Sequence, residues 1–161
     1  MSSVQRKMNS KIGLLYLVAS EKGLQGVFWQ RHLAPLENSQ TVAETNILNK
    51  AETQLTEYLD GKRKKFDLPL DPEGTEFQKR VWSRLSNIPY GETRSYKQIA
   101  TEIHDKNASR AVGTANGRNP LCIIVPCQRG TSSDGTSGGY SGGLQIKKSL
   151  LLLERGEKLY A

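Results

Sequence analysis

Sulfur and imidazole are scarce in this chain: two cysteines and two histidines among 161 residues. Two cysteines cannot make a disulfide framework. Cys122, Cys127, His32 and His104 are the only soft metal ligands, and no metal-type spacing links them, so structural zinc has no support. No window approaches the roughly 20 apolar residues that a membrane span needs. Residues 1–10 are polar and basic, without the apolar core of a secretion signal. A reducing cytosol or nucleus is therefore the expected compartment. Acidic residues are also short, 16 against 23 lysines and arginines, for a net charge of +7 and a pI near 9.5. A basic balance favours polyanions as partners, nucleic acid first, although the same balance also serves plain solubility.

What remains is an ordinary globular composition, 36% hydrophobic with a mean hydropathy of −0.56. The length suits one domain or two small ones. Residues 1–10 are expected to fray. Residues 11–19 and 24–30 are β-rich, and Ser20-Glu21-Lys22-Gly23 between them suits a hairpin turn. Residues 31–40 read as a loop. Residues 43–59 carry Ile47, Leu48, Ala51, Leu55 and Leu59 on one helical stripe, with Gly61 as a stop. Lys62-Arg63-Lys64-Lys65 is a basic run that suits either phosphate contact or a solvated face. Two prolines and a glycine in 66–74 argue for an extended linker. The expected division is an α/β domain over 1–65, a small antiparallel sheet with a helix, and a mostly α domain over 66–161.

The second half has clear helix starts. Thr75 with Gln78, and Ser95 with Gln98, both fit a capping box. The first opens a helix to about residue 86 that buries Phe77, Val81 and Leu85. The second opens a short helix with Ile99, Ala100 and Ile103 inward. A third helix is expected over 107–116. The last two suggest a helix-turn-helix outline. The third is built from small residues and tolerates Gly113 at a cost of about 1 kcal/mol relative to alanine. Small residues let a backbone approach another surface, either a neighbouring helix or a DNA groove. Arg110 is the long side chain available to probe a base stack.

Leu121-Cys122-Ile123-Ile124-Val125 is a short apolar run that reads as a strand buried on both faces. Pro126 ends it, and Cys127 follows at once. On such a strand Cys122 and Cys127 point to opposite faces, so no disulfide is expected. A cysteine on a rigid strand end suits nucleophilic transfer to sulfur; a semi-buried structural cysteine is the alternative. Residues 130–143 form a Gly/Ser loop holding Tyr140, either a linker or a pocket wall. Residues 144–155 are a final helix. Glu154 sits in its last turn, where an acid opposes the helix dipole. Either it is exposed and paired with Arg155 or Lys158, or it turns inward toward the cysteine.

Pro89-Tyr90-Gly91-Glu92-Thr93, Ser95-Tyr96, Ser109-Arg110-Ala111-Val112-Gly113, Arg118-Asn119-Pro120, Ile124-Val125-Pro126-Cys127, Tyr140-Ser141-Gly142-Gly143 and Glu154 occur together, in order. In these stretches the chain resembles the O6-alkylguanine-DNA alkyltransferases, from residue 75 to residue 154. The resemblance implies repair of double-stranded DNA containing O6-alkylguanine. It implies no cofactor, no membrane and a monomer. A helix-turn-helix would enter the minor groove and flip the damaged base out, because its alkyl group is unreachable inside the stack. Cys127 would be the nucleophile, consumed once as a stable thioether. Tyr96 would help rotate the nucleotide and donate toward the leaving guanine. Asn119 would orient the cysteine, and Glu154 would be the buried carboxylate of the relay. Arg110 would fill the vacated stack, with Ser95, Ala111, Gly113, Thr114 and Arg118 against the DNA. Val125, Tyr140, Ser141 and Gly142 would wall the pocket. One position departs: the family motif is Pro-Cys-His-Arg, and this chain has Gln128. Glutamine can hold a water but cannot take a proton near neutral pH. Transfer is then expected to slow by about 10²–10⁴-fold, as when a general base is lost. Glu154 could still accept the proton through water. The other functional class is a protein that binds alkylated DNA without repairing it. A hydrolase or redox protein built on Cys127 would need His32 or His104 as its base.

Overall fold

A computed structural model describes residues 3–31, 41–132 and 140–157, and these form two compact units, 1–73 and 74–157. The first holds an antiparallel sheet of three strands, β1 (Val4–Ser10), β2 (Gly13–Ala19) and β3 (Leu24–Phe28), in that spatial order. The fraying expected of this stretch is thus overturned for Val4–Ser10. Val4 pairs with Ala19 and Ser10 with Gly13, so strand β1 covers an edge that β2 would otherwise expose. Val4 and Met8 are buried on one face. The β2–β3 hairpin turns where expected, with Ser20 N–H donating to Gly23 O at 3.0 Å. Helix α1 (Val42–Leu59) is capped by Thr41 in a box with Glu44 and buries Ile47, Leu48, Ala51 and Leu55. Residues 66–73 belong to this unit. Leu24 N–H donates to Pro69 O at 2.9 Å and Asp71 N–H to Leu24 O at 2.8 Å, so the extended segment continues the sheet instead of hanging as a linker.

The second unit is mostly helical. Helices α2 (Glu76–Ser86) and α3 (Tyr96–Glu102) both open on complete capping boxes, at Thr75 and Ser95. Each box satisfies two N–H groups that a helix start leaves open, worth about 1 kcal/mol. Helix α4 spans Ser109–Gly117 and helix α5 spans Leu144–Glu154. Val81, Trp82, Leu85, Ile99, Val112 and Leu150 fill the core. The Trp82 indole N–H donates to Ala115 O at 2.9 Å, tying α2 to α4. Strands β4 (Arg94–Ser95) and β5 (Gly130–Thr131) pair in parallel. That short pairing brings the residues after Cys127 beside the start of α3. Among the described residues no helix is long and apolar enough to cross a membrane.

Candidate active site

Residues 121–125 are buried, each 7% exposed or less, but they do not form the expected strand. Val125 N–H donates to Leu121 O at 2.9 Å and Ile124 N–H to Cys122 O at 2.9 Å. Ile123 lies at a φ of 75°, a left-handed conformation that β-branched residues rarely adopt. The physical reason lies in Asn119. Its side-chain oxygen accepts from Leu121 N–H at 2.9 Å and its Nδ2 donates to Val125 O at 2.8 Å. One buried amide satisfies both ends of the loop, so no neighbouring strand is needed. Pro126 then leads into a 3₁₀ turn, Cys127–Arg129. Cys127 therefore begins a turn instead of ending a strand.

The folded loop also overturns the expected separation of the two cysteines. Cys122 hydrogen-bonds Cys127 side chain to side chain, and its Sγ lies 2.9 Å from Ser141 Oγ. Both residues remain thiols. The Cys122 contact, followed by burial, holds the Cys127 thiol well above its ordinary range. A hydrogen bond from Asn119 and the charge of Lys147 work in the opposite direction.

Glu154 turns inward and pairs with Arg129 instead of Arg155, while Lys158 lies outside the described residues. Arg129 grips the carboxylate with both edges, Nε to Oε1 at 2.8 Å and Nη2 to Oε2 at 3.0 Å. Its Nη1 donates to Ile88 O at 2.7 Å. Gln128 Nε2 donates to Glu154 Oε2 at 3.2 Å, and Gly91 N–H to Oε1 at 3.1 Å. Four donors on one buried carboxylate, two of them a cationic fork, favour its charged form and oppose its acting as a base. The guanidinium also sits 5.6 Å from the centre of the Tyr90 ring. Burial and then the charge of Glu154 raise the Tyr90 phenol above its usual range, against the pull of Arg129.

Tyr96 starts α3 and is 9% exposed. Two glycines make room for its ring: a Cβ at Gly113 would stand 3.0 Å from it, and one at Gly130 3.2 Å. Gly113 thus serves helix-to-helix packing. Asn116 Nδ2 donates to the Tyr96 hydroxyl at 3.4 Å. Arg110, Ala111 and Thr114 on α4 are exposed, as is Arg118 just after it. Ser95 is half-buried as the cap of α3. Val125 is buried behind Cys127. Gly143 N–H donates to Tyr140 O at 3.0 Å, and Gly143, at a φ of 95°, swings the chain from Tyr140-Ser141-Gly142 into α5. His104 is exposed in the turn before α4. His32 and residues 133–139 of the Gly/Ser loop lie outside the described residues.

The sequence reading missed three side chains: Cys122 as a neighbour of Cys127, Arg129 as the clamp on Glu154, and Lys147. Lys147 on α5 is fully buried, and its Nζ donates to Gly130 O at 2.6 Å. Burial pushes its ammonium down to about 8, against the charge of Cys127. A signal was present, because 147, 150 and 154 share one face of a helix. A lysine in line with Leu150 and an inward Glu154 is inward as well.

Two family models match the chain. The 6-O-methylguanine DNA methyltransferase DNA binding domain matches residues 76–156, and the ribonuclease-like domain of the same proteins matches residues 4–72. A methylated-DNA–protein-cysteine methyltransferase of Methanosarcina barkeri is 47% identical over 91% of this chain and 94% of its own length. The inducible enzyme of that name from Bacillus subtilis is 42% identical over 89% of this chain and 79% of its own. The Mycobacterium tuberculosis OGT crystallised with DNA superposes with a TM-score of 0.86 and 40% identity, covering 96% of this chain and 94% of that one.

Proposed function

The chain belongs to the 6-O-methylguanine DNA methyltransferase family, and on that premise we propose that Cys127 is the acceptor of the alkyl group. The protein is a DNA repair methyltransferase that reverses alkylation directly, one turnover per molecule. Its substrate is double-stranded DNA carrying O6-alkylguanine, bound by a monomer inside the cell, in cytoplasm or nucleus. Helices α3 and α4 act as a helix-turn-helix, with Arg110 filling the stack that the flipped guanine leaves. Exposure of Arg110, Ala111, Thr114 and Arg118 on and just after one helix supports that surface.

The thiol of Cys127 gives its proton to solvent. A sulfur lone pair then forms the S–C bond as the C–O6 bond breaks. The electron pair of that bond leaves on guanine, which takes a proton from the Tyr96 hydroxyl; the phenolate is reprotonated by water. Asn119 holds the loop that aims the sulfur. Tyr140, Ser141, Gly142 and Val125 wall the pocket. Glu154 and Gln128 act as a fixed polar backing to the turn. Glu154 already carries the Arg129 fork, so Gln128 leaves the thiol without a strong proton acceptor, and transfer is slow at neutral pH.

The observation that carries this reading is a buried, intact thiol at the start of a turn that Asn119, Arg129 and Glu154 jointly hold. A protein that only flags damage is the less favoured reading. The test is to incubate the full chain with duplex containing O6-methylguanine and measure intact and peptide mass. A gain of one methyl group on Cys127 is expected. Damage-selective binding in a gel shift with no mass change after prolonged incubation would overturn the assignment.

A further inference from the structure

Helix α4 buries an amide, Asn116, that is only 1% exposed. Its Nδ2 donates to the Tyr96 hydroxyl at 3.4 Å. Its Oδ1 is sealed from solvent and has no hydrogen-bond partner among the described residues. A stranded acceptor is costly, and an apolar side chain of the same size would avoid that cost. The chain makes room for the oxygen nonetheless. A Cβ on Gly130 would stand 2.6 Å from it and 3.2 Å from the Tyr96 ring, so glycine lets the amide and the phenol lie close together. Gly130 also closes the turn that begins with Cys127, its N–H donating to Cys127 O. The stranded oxygen thus lies beside both the phenol and the end of the nucleophile's turn.

This arrangement has the polarity of one edge of a purine. With its oxygen accepting from Asn116, the Tyr96 phenol keeps its own hydrogen to donate. The amide oxygen beside it accepts. O6-alkylguanine offers the complement: an exocyclic amine that donates, flanked by two ring nitrogens that the O6 alkyl group leaves as acceptors. An extruded base is read through such edges. We propose that Tyr96 and Asn116 read the flipped base as one pair, Tyr96 donating to a ring nitrogen and Asn116 Oδ1 accepting from the amine next to it. Asn116 is then a specificity residue for guanine over purines that lack the amine. This deepens the alkyl-transfer reading and rests on it for the identity of the base. Two neighbouring acceptors are already engaged. The Gly130 carbonyl accepts from Lys147 Nζ at 2.6 Å, and the Asn119 side-chain oxygen accepts from Leu121 N–H.

The test crosses two duplexes with two proteins. The duplexes carry O6-methylguanine or O6-methylhypoxanthine, which lacks only the amine. Binding is measured by fluorescence anisotropy with the full chain as Cys127→Ser, which cannot take the methyl group, and as the double variant C127S/N116L. Single-turnover transfer to Cys127, with and without N116L, is followed by peptide mass. C127S should bind the methylguanine duplex about tenfold more tightly than the methylhypoxanthine duplex, because a base without the amine leaves the oxygen stranded. N116L should erase most of that preference by weakening the methylguanine complex alone, and the transfer rates should follow the same pattern. Equal losses on both duplexes, as from a merely structural role, overturn the proposal. So does a preference that survives N116L, or no preference in C127S. A preference in binding that N116L erases, with no methyl gained on Cys127 of the unsubstituted chain, would sink the repair reading and leave the pair standing. Should N116L fail to fold, asparagine-labelled NMR of C127S with saturating DNA decides. The Asn116 side-chain amide should shift differently with the two duplexes, and identical shifts overturn the proposal.

Discussion

Replacing Arg129 by methionine should be among the most damaging single changes in this protein. The side chain is 7% exposed and its partner carboxylate is 0% exposed. Arg129→Met removes three hydrogen bonds, two to Glu154 and one to Ile88 O. It leaves Glu154 with the weaker hydrogen bonds from Gln128 Nε2 and Gly91 N–H, still sealed from water. Breaking a buried pair by deleting one partner costs about 3–5 kcal/mol. For a unit of this size each kcal/mol lowers the melting temperature by about 4–8 °C, so a drop of roughly 12 °C or more is expected. Calorimetry of the full chain at pH 7.5 reads it directly. The double variant R129M/E154L supplies the control. With both charges gone the core holds no uncompensated carboxylate, and most of the lost stability should return. A single variant within about 1 kcal/mol of the parent, the cost of an exposed pair, would refute the clamp. So would a double variant no better than the single.

Gln128→His should accelerate single-turnover methyl transfer at pH 7.5, by up to about 10²–10⁴-fold, since an imidazole can take the proton that glutamine cannot; an unchanged rate would show that position 128 is not limiting. The pH profile of the unsubstituted protein follows from the direction of the Cys127 shift. A thiol held above its ordinary range is protonated at neutral pH, so the thiolate fraction and the transfer rate should rise about tenfold per unit from pH 6 to pH 8. Quench-and-mass kinetics check this, and a flat profile would mean that the thiol ionises far lower. Gly113→Val should push the Tyr96 ring, which an added Cβ already approaches to 3.0 Å. A loss of about 1–3 kcal/mol in urea denaturation is expected from such overpacking, and a more stable variant would show that the helix has room to spare.

Local chemistry was legible in the chain itself. The capping boxes at Thr75 and Ser95, the β2–β3 turn and the helical stripe of α1 all rest on partners within a few residues. An i to i+3 hydrogen bond or a side-chain period needs no distant part of the molecule. Asn119, Gln128 and Glu154, which the fold brings to the loop and turn around Cys127, were singled out in the sequence because their order matches a known pattern. What surrounds them was not. The apolar run before Cys127 reads as a strand, and only the folded chain, with Asn119 spanning both its ends, bends it and brings Cys122 onto Cys127. The grip of Arg129 on Glu154 joins positions 25 residues apart. Lys147 gains its meaning from a carbonyl 17 residues away. Such pairings depend on which surfaces close over which charges, and burial is a property of the assembled core that no short window of sequence carries.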